Sequence, residues 1–144
     1  MIIKTRDYGE IKAEEKDIIR FTKGMYGFED YTDYLILKDN PEDDIMYLQS
    51  IDNKELSFVL VDPYYVFNTY KPILNEEDLS ELKVNLEIEL KFLVIAIIRD
   101  EIQNSVINLK SPIAINPELK IAKQVILQNT YPLRCPLFST EEDI

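Results

Sequence analysis

The side chains with the greatest potential for chemistry are acidic, and they form three clusters. These are Glu42-Asp43-Asp44, Glu76-Glu77-Asp78 and Glu141-Glu142-Asp143. Paired carboxylates can perform acid–base catalysis or bind a hard cation such as Ca²⁺. However, none of the clusters has the ligand spacing of a calcium loop, and each falls in a predicted loop, helix start or chain terminus. The sequence therefore predicts solvated surface acids and leaves a carboxylate-based cation-binding or hydrolytic β domain as an alternative hypothesis.

The chain contains no histidine and a single cysteine, Cys135. Without histidine, the commonest general base and the commonest neutral metal ligand are both missing. Arg134 would favour the thiolate of Cys135, but no histidine is present to act as its base. A single cysteine cannot form an internal disulfide. We therefore predict an inert or structural thiol and no catalytic residue, metal or cofactor.

Two glycines lie three residues apart in the segment GMYGFED, residues 24–30. The segment lacks the Gly-x-x-x-x-Gly-Lys pattern of a phosphate-binding loop. It predicts a tight turn in which Phe28 folds back onto the core, with a partner-binding loop as the alternative.

The formal net charge of the 144-residue chain is −11. Such a charge disfavours direct binding to nucleic acid and to anionic membranes, and it attracts basic partners. Improved solubility is the alternative explanation. The longest apolar run, residues 92–98, is too short to cross a bilayer, which requires about 20 residues. The N-terminus lacks the apolar core of a signal peptide, so we predict a cytoplasmic location.

Most of the elements that must position these side chains have the pattern of strands. Short runs rich in Ile, Val, Tyr and Phe alternate with turn residues. This pattern predicts an all-β fold, an antiparallel pseudobarrel or sandwich of two packed sheets. We predict one domain over residues 1–144, with an acidic tail of about six residues. The predicted strands are MIIKT, DIIRF, DYLILK, IMYLQSI, LSFVLV, YVFNTY, FLVIAIIR, SVINL, PIAIN and QVIL.

One short helix is predicted near residues 76–82. Asn75 is a suitable N-cap, and the acids of the first turn suit the positive end of the helix dipole. Leu79 and Leu82 would face the sheets. Downstream, the alternation in residues 84–90 predicts a strand with one solvated face, and residues 92–98 predict a central strand covered on both faces.

Aromatic residues follow the Asp62-Pro63 pair, and the chain contains nine tyrosines. Tyr64, Tyr65 and Tyr70 belong to this group. Exposed aromatic clusters often mark protein interfaces, whereas core packing is the alternative explanation. The group has few basic neighbours, which argues against stacking on nucleic-acid bases.

Four stretches in this order resemble the flagellar assembly factor family, FliW. The resemblance spans Met1 to about Leu137, with one departure: Met25-Tyr26 stands between the two glycines where the family usually has a proline. The stretches are FTKGMYGFED (21–30), YLQSIDNKELSFVLVDPYYVF (47–67), SVINLKSPIAIN (105–116) and KQVILQNTYPLRCPL (123–137).

The resemblance implies a bacterial cytoplasmic regulator built as a small β pseudobarrel. Members of the family bind flagellin before its export. When free, they bind the carbon storage regulator, a small basic RNA-binding protein that represses flagellin translation. A monomer with no direct contact to nucleic acid or membrane is expected. A purely structural module without a regulatory role is the remaining hypothesis.

Candidate contact residues are the surface-capable side chains within these stretches. The acids Glu42, Asp43 and Asp44 are candidates for long-range attraction only. Buried roles are the alternative for two candidates whose amides could satisfy backbone groups at strand ends, namely Gln49 and Asn108. The complete predicted partner-binding set is Gln49, Asp52, Asp62, Tyr64, Tyr65, Tyr70 and Asn108.

Overall fold

The computed structural model describes residues 1–138, and short strands account for most of its regular structure. Two short helices are present, α1 (Pro63–Val66) and α2 (Glu76–Glu81), with single 3-10 turns at Glu15–Asp17, Glu87–Glu89 and Ile102–Asn104. The strands are β1 (Ile2–Lys4), β2 (Glu10–Lys12), β3 (Ile19–Phe21), β4 (Asp33–Leu37), β5 (Ile45–Ser50), β6 (Ser57–Val61), β7 (Lys91–Ile97), β8 (Val106–Ile107), β9 (Ile113–Asn116), β10 (Ile121–Gln124) and β11 (Cys135–Pro136).

Seven strands close into a ring in the order β3-β4-β5-β6-β7-β9-β10, after which β10 pairs again with β3. The β3–β10 pairing is parallel and the other pairings in the ring are antiparallel. The long strand β7 pairs with β6 on one side, and on the other with β9 and then with β8. The predicted all-β pseudobarrel with one short helix near 76–82 is confirmed, and the parallel pair is the departure from a purely antiparallel ladder.

Strand β7 separates the two main cores. Leu93 belongs to the cluster inside the ring, together with Tyr34 and Leu48. Phe92 and Val94 belong to the outer cluster, because successive side chains of a strand point to opposite faces. The prediction that residues 92–98 form a strand covered on both faces is therefore confirmed for the first part of this segment. It is wrong at the end of the run, where Ile97 is 46 % exposed and Ile98 is 42 % exposed.

A separate two-stranded sheet, β1-β2, lies against the outside of the ring. A third, smaller apolar cluster lies there and consists of Ile3 in β1, Ile18 just before β3, and Leu35 in β4. This sheet anchors the N-terminal segment next to β4.

Helix α2 begins as predicted. The Asp78 backbone N–H donates to the Asn75 side-chain oxygen at 2.7 Å. Leu82 is fully buried and Leu79 packs against the outer core. The prediction that the acids of this helix are solvated is wrong for Asp78, which is buried and accepts a hydrogen bond from Lys123 Nζ at 2.5 Å.

Three predicted strands are wrong in type or position. YVFNTY begins within α1, because the Asp62 side chain accepts from the Tyr64 backbone N–H at 3.0 Å and Pro63 occupies the first helical position. The alternation in 84–90 is broken by the turn Glu87–Glu89, whose Glu89 carboxylate accepts from the backbone N–H groups of Asn85 and Leu86 at 2.8 Å each. QVIL lies mostly beyond β10, because residues 125–127 follow the loop at 110–112 instead of a ring strand.

Two further predictions have mixed outcomes. The GMYGFED segment is a tight turn, and the ring of Phe28 meets the ring of Phe58 edge-on at 5.3 Å, but Phe28 keeps an exposed face. Cys135 is buried in the outer core, a placement compatible with a structural thiol.

Residues 139–144, including the cluster Glu141-Glu142-Asp143, lie outside the described residues, so the acidic tail and the single domain over 1–144 stay predictions.

Candidate partner-binding surface

The Asp-Pro-Tyr-Tyr turn carries two exposed tyrosines of the predicted contact set, Tyr64 and Tyr65. Asp62 caps the N-terminus of α1, and the buried Pro63 occupies its first position. Tyr65 is 77 % exposed and lines one groove. The adjacent Tyr64 lines a second groove and stacks edge-on against Tyr70, with ring centroids 5.8 Å apart. The turn therefore presents one aromatic side chain to each of two surface grooves.

The first groove lies over the outer face of β5 and β6, beside the end of β7. We name it the acid-rimmed groove, because three carboxylates, Asp39, Asp43 and Asp44, line its rim. Its volume is about 660 Å³. The remaining lining is apolar or aromatic and consists of Ile45, Tyr47, Val59, Val61, Tyr65, Val66, Ile98, Ile102, Leu137 and Phe138.

The rim carboxylates are largely uncompensated. Asp39 accepts a hydrogen bond from the Tyr8 hydroxyl at 2.8 Å, and Asp43 accepts one from the Asn40 backbone N–H at 3.0 Å. Burial, together with the hydrogen bond to Asp39, raises the pKa of Tyr8 to about 12, so Tyr8 stays a neutral donor. Within residues 1–138, no cation forms an ion pair with any of the three acids. Their negative charge therefore faces solvent at the edge of an apolar surface.

The second groove, which we name the Tyr64 groove, lies between α1 and the turn at Glu87–Glu89. Its volume is about 450 Å³. Leu86 and Ile88, on its edge, are 60 % and 88 % exposed. Lys71 and Glu87 contribute one charge of each sign. This groove is apolar without a dominant charge.

Two of the predicted contact residues are buried, although Tyr70 also contributes to the lining of the Tyr64 groove. Gln49 is 1 % exposed; its Oε1 accepts from the Arg6 backbone N–H at 3.0 Å, and its Nε2 donates to the carbonyls of Ser50 and Lys54 at 3.0 Å each. Tyr70 is also buried, and its hydroxyl donates to the Leu109 carbonyl at 2.6 Å. Both side chains satisfy backbone groups, so their predicted role as partner contacts is not supported by their positions.

The other predicted residues are accessible but scattered. Asp52 is exposed in the β5–β6 hairpin, away from both grooves. Asn108 is half-buried, and its Oδ1 accepts from the Ser111 backbone N–H at 2.9 Å, which closes the loop between β8 and β9. Only Asp62, Tyr64 and Tyr65 are adjacent, within a single turn. For these residues, partner contact stays a prediction.

Sequence reasoning missed the isoleucines of the acid-rimmed groove. Ile45 stands at the start of β5, Ile98 follows β7, and Ile102 begins the next 3-10 turn. Ile98 was predicted to be covered within the run 92–98, whereas Ile45 was only included in a predicted strand and no role was predicted for Ile102. A usable signal was the sequence Arg99-Asp100-Glu101 between Ile98 and Ile102, because three consecutive charged residues place their neighbours near solvent.

Replacing Gln49 with leucine should lower the free energy of unfolding by about 2 kcal/mol, because the Arg6 N–H and the carbonyls of Ser50 and Lys54 lose a buried partner. Urea denaturation monitored by circular dichroism measures the change. The exposed Gln128→Leu variant serves as the control, with an expected change of about 0.5 kcal/mol or less. Equal free energies of unfolding for the two variants would show that the hydrogen bonds of the Gln49 amide do not stabilise the β5–β6 hairpin.

Among residues 1–138, no group of three or more His, Cys, Asp or Glu side chains is arranged to hold a metal ion. Within the same range, no helix combines the length and apolar character required to cross a membrane.

Comparison with known proteins places this architecture in a family. A family model described as FliW protein matches residues 2–137. The chain belongs to the FliW family. The crystal structure of a flagellar assembly factor FliW superposes with a TM-score of 0.88 at 34 % identity, covering 98 % of this chain and 99 % of the other. The resemblance identified from the ordered sequence stretches is thereby confirmed.

Individual FliW relatives match over most of their length. The flagellar assembly factor FliW of Thermoanaerobacter pseudethanolicus is 38 % identical over 139 residues, covering 95 % of this chain and 93 % of the relative. That of Ruminiclostridium cellulolyticum is 34 % identical over 128 residues, covering 88 % and 86 %. That of Bdellovibrio bacteriovorus is 32 % identical over 141 residues, covering 96 % and 80 %. The similarity to FliW proteins therefore includes the turn between the two grooves.

Proposed function

We propose that this protein is a non-enzymatic, cytoplasmic regulator of flagellum assembly that acts by binding other proteins. Its partners are flagellin and, when the protein is free of flagellin, the carbon storage regulator, whose repression of flagellin translation is then relieved. Membership in a family of flagellar assembly factors supports the role in assembly. The observation that carries the binding role is the pair of exposed tyrosines, Tyr64 and Tyr65, each of which lines one of two largely apolar surface grooves.

The surface chemistry supports protein ligands. Contiguous exposed apolar surface, when rimmed by polar residues, commonly marks a protein interaction site. The net charge of −11 favours encounter with a basic protein and disfavours direct contact with nucleic-acid phosphates. Binding the regulator would place this negative surface next to a protein that must itself approach RNA, which opposes RNA binding by that protein.

Purified protein mixed separately with flagellin and with the carbon storage regulator should co-elute with each on size exclusion, whereas the free protein should elute as a monomer. The affinity for the regulator should fall as ionic strength rises from about 0.05 to 0.5 M, because salt screens attraction between exposed charges. Isothermal titration calorimetry at the two salt concentrations measures this change. Failure to co-elute with either partner would refute the proposed function, and a salt-independent affinity would remove its electrostatic component.

A further inference from the structure

We propose that the groove formed by Phe67 and the loop 128–136 binds a mononucleotide, with the phosphate against the guanidinium group of Arg134 and the base against the rings of Phe67 and Tyr131. We name it the Arg134 groove. Its volume is about 810 Å³, a size typical of small-molecule sites. This ligand site is additional to the proposed function and does not depend on either protein partner.

The Arg134 groove lies in a basic part of an acidic chain. Residues 102–138 include one acid, Glu118. The basic residues of the same range are Lys110, Lys120, Lys123 and Arg134. None of the described residues that line the groove is acidic, and Arg134 forms no ion pair within residues 1–138. An anion bound there would therefore gain a counter-charge without displacing one.

The side chain of Arg134 is suited to a phosphate group. Its planar guanidinium can donate two parallel hydrogen bonds to phosphate oxygens. Arg134 is exposed, and its side chain has no hydrogen-bond acceptor within the described part of the chain. Lys110 adds a second positive charge beside the groove, because its ammonium group donates to the carbonyl of Asn129, one of the lining residues.

The aromatic rings of the groove are suited to a nucleobase. Phe67 and Tyr131 are half-buried and meet edge-on, with ring centroids 5.7 Å apart. Stacking on such rings favours a flat, aromatic ligand. Gln128 and Thr130 also line the groove, and within residues 1–138 their side chains form no hydrogen bond. Their amide and hydroxyl groups can therefore bind the polar edge of a base.

The wall of the groove is held in place by hydrogen bonds to the segment 71–73. Asn129 accepts from the Ile73 backbone N–H at 2.8 Å and donates to the Lys71 carbonyl at 3.0 Å. The Tyr131 hydroxyl accepts from the Lys71 backbone N–H at 3.0 Å. A wall fixed in this way loses little conformational entropy when a ligand binds. Because Lys71 and Ile73 also line the Tyr64 groove, a bound nucleotide would stabilise the backbone of that groove as well.

Larger anions fit this surface less well. An acidic protein segment or a nucleic acid would extend beyond the groove and meet the acids that give the chain its net charge of −11. A mononucleotide keeps its charge within the groove, and salt screens the more distant acids over about 8 Å at physiological ionic strength. A small anion without a ring would leave Phe67 and Tyr131 uncovered. These differences favour a compact ligand that has both a ring and a phosphate.

Titration of the ¹⁵N-labelled full-length protein with AMP tests the site. The backbone amide signals of Phe67 and residues 128–135 should shift saturably, with a Kd below about 1 mM. Adenosine, which lacks the phosphate, and inorganic phosphate, which lacks the ring, should each bind at least about tenfold more weakly. No saturable shift up to about 10 mM AMP, or equal affinity for AMP and inorganic phosphate, would overturn the proposal.

Removal of the guanidinium group tests the phosphate contact. Arg134→Gln should weaken AMP binding about tenfold, because a charge-assisted hydrogen bond is lost. Arg99→Gln is the control, since it makes the same change in net charge at an exposed arginine outside the groove. Its affinity for AMP should fall by about twofold or less. Equal losses for the two variants would show that the net charge, and not Arg134, holds the phosphate, which contradicts the proposal.

Removal of a ring tests the base contact. Phe67→Leu should weaken AMP binding about fivefold and leave the weak affinity for inorganic phosphate unchanged, so that a folding defect is distinguished from a lost contact. Phe138→Leu, the same substitution in the acid-rimmed groove, should bind AMP as the wild type does. Unchanged AMP affinity in Phe67→Leu would refute the base contact. A glutamate-only peptide that displaces AMP and binds more tightly would assign the groove to an acidic protein segment and overturn the proposal.

Discussion

Replacing Lys123 with methionine is expected to lower the free energy of unfolding by about 3 kcal/mol at neutral pH. Lys123 lies in β10 and is buried, with its Nζ 2.5 Å from an Asp78 carboxylate oxygen and also paired with Glu81. The variant leaves Asp78 with a buried charge and no counter-ion. It also removes the connection between α2 and the ring, which holds one side of the outer core.

The pKa values of this cluster support its electrostatic role. Burial by itself lowers the pKa of Lys123, but its hydrogen bonds to Asp78 and Glu81 outweigh that effect, so its pKa lies above the usual range. The hydrogen bond from Lys123, with a second from Lys23, lowers the pKa of Glu81. Lys23 precedes the Gly24 turn and lies 2.9 Å from Glu81, so the same cluster connects α2 to that turn.

The expected pH dependence follows from the direction of the Glu81 shift. Because its pKa is lower in the folded state, its contribution is complete above the unfolded pKa of about 4.3 and is lost as pH falls through the folded pKa. The stability difference between wild type and Lys123→Met should therefore be larger at pH 7 than near pH 3. Urea denaturation at the two pH values measures it. Glu81 is partly exposed, so solvent screening keeps its own share of the difference small.

Two further variants separate charge from packing at Lys123. Adding Asp78→Asn to Lys123→Met should recover part of the lost stability, because it removes the unpaired charge. The control Lys91→Met, at an exposed residue of β7, should change stability by about 0.5 kcal/mol or less. A loss below about 1 kcal/mol for Lys123→Met would contradict the structural role assigned to the cluster.

Replacing Gly24 with alanine is expected to destabilise the protein by at least about 2 kcal/mol. Gly24 has a φ of +69°, and a Cβ added there would lie 2.7 Å from the Glu29 Cα and 2.9 Å from the Glu29 carbonyl oxygen. Those neighbours are backbone atoms, so the clash cannot be relieved by rotating a side chain. The turn must open, which would disturb the buried Met25.

Gly27 provides a matched control within the same turn. Its φ is +86°, but a Cβ added there would meet no atom within 4 Å. Gly27→Ala should therefore lose only about 1 kcal/mol, for the left-handed backbone conformation alone. Chemical denaturation of the two variants measures the difference. If Gly24→Ala is no less stable than Gly27→Ala, the close approach of Glu29 does not constrain the turn.

Local rules predicted the parts of the fold that depend on local chemistry. The Asn75 cap, the faces of Leu79 and Leu82 and the buried run around Leu93 follow from spacing and residue type. The closure of the ring did not follow, because it depends on the parallel pairing of Ile121–Ala122 with Arg20–Phe21, residues about a hundred positions apart. No local pattern specifies such a contact.

The errors in the candidate surface have the same origin. YVFNTY was predicted as a strand, but the Asp62-Pro63 pair before it caps and begins a helix, so the aromatic residues after the pair do not alternate. Gln49 was predicted as a candidate contact with a buried role as the alternative, and the structure shows the alternative, because its amide donates to backbone carbonyls of the hairpin. The apolar run that ends at Ile98 suggested burial, whereas Ile98 lies on an open groove. Residue type alone does not reveal which backbone groups need a partner or where a sheet ends.

The most direct test of the account is a fluorescence anisotropy titration of labelled carbon storage regulator with the wild-type protein at low salt, followed by addition of unlabelled flagellin. We predict a saturable rise in anisotropy with micromolar or tighter affinity, a binding free energy of about −8 kcal/mol or stronger. Flagellin should then reverse the rise, because in the function we propose only the flagellin-free protein takes up the regulator. A flat titration up to about 100 μM protein, or a rise that flagellin leaves unchanged, would contradict the exchange between partners that we propose.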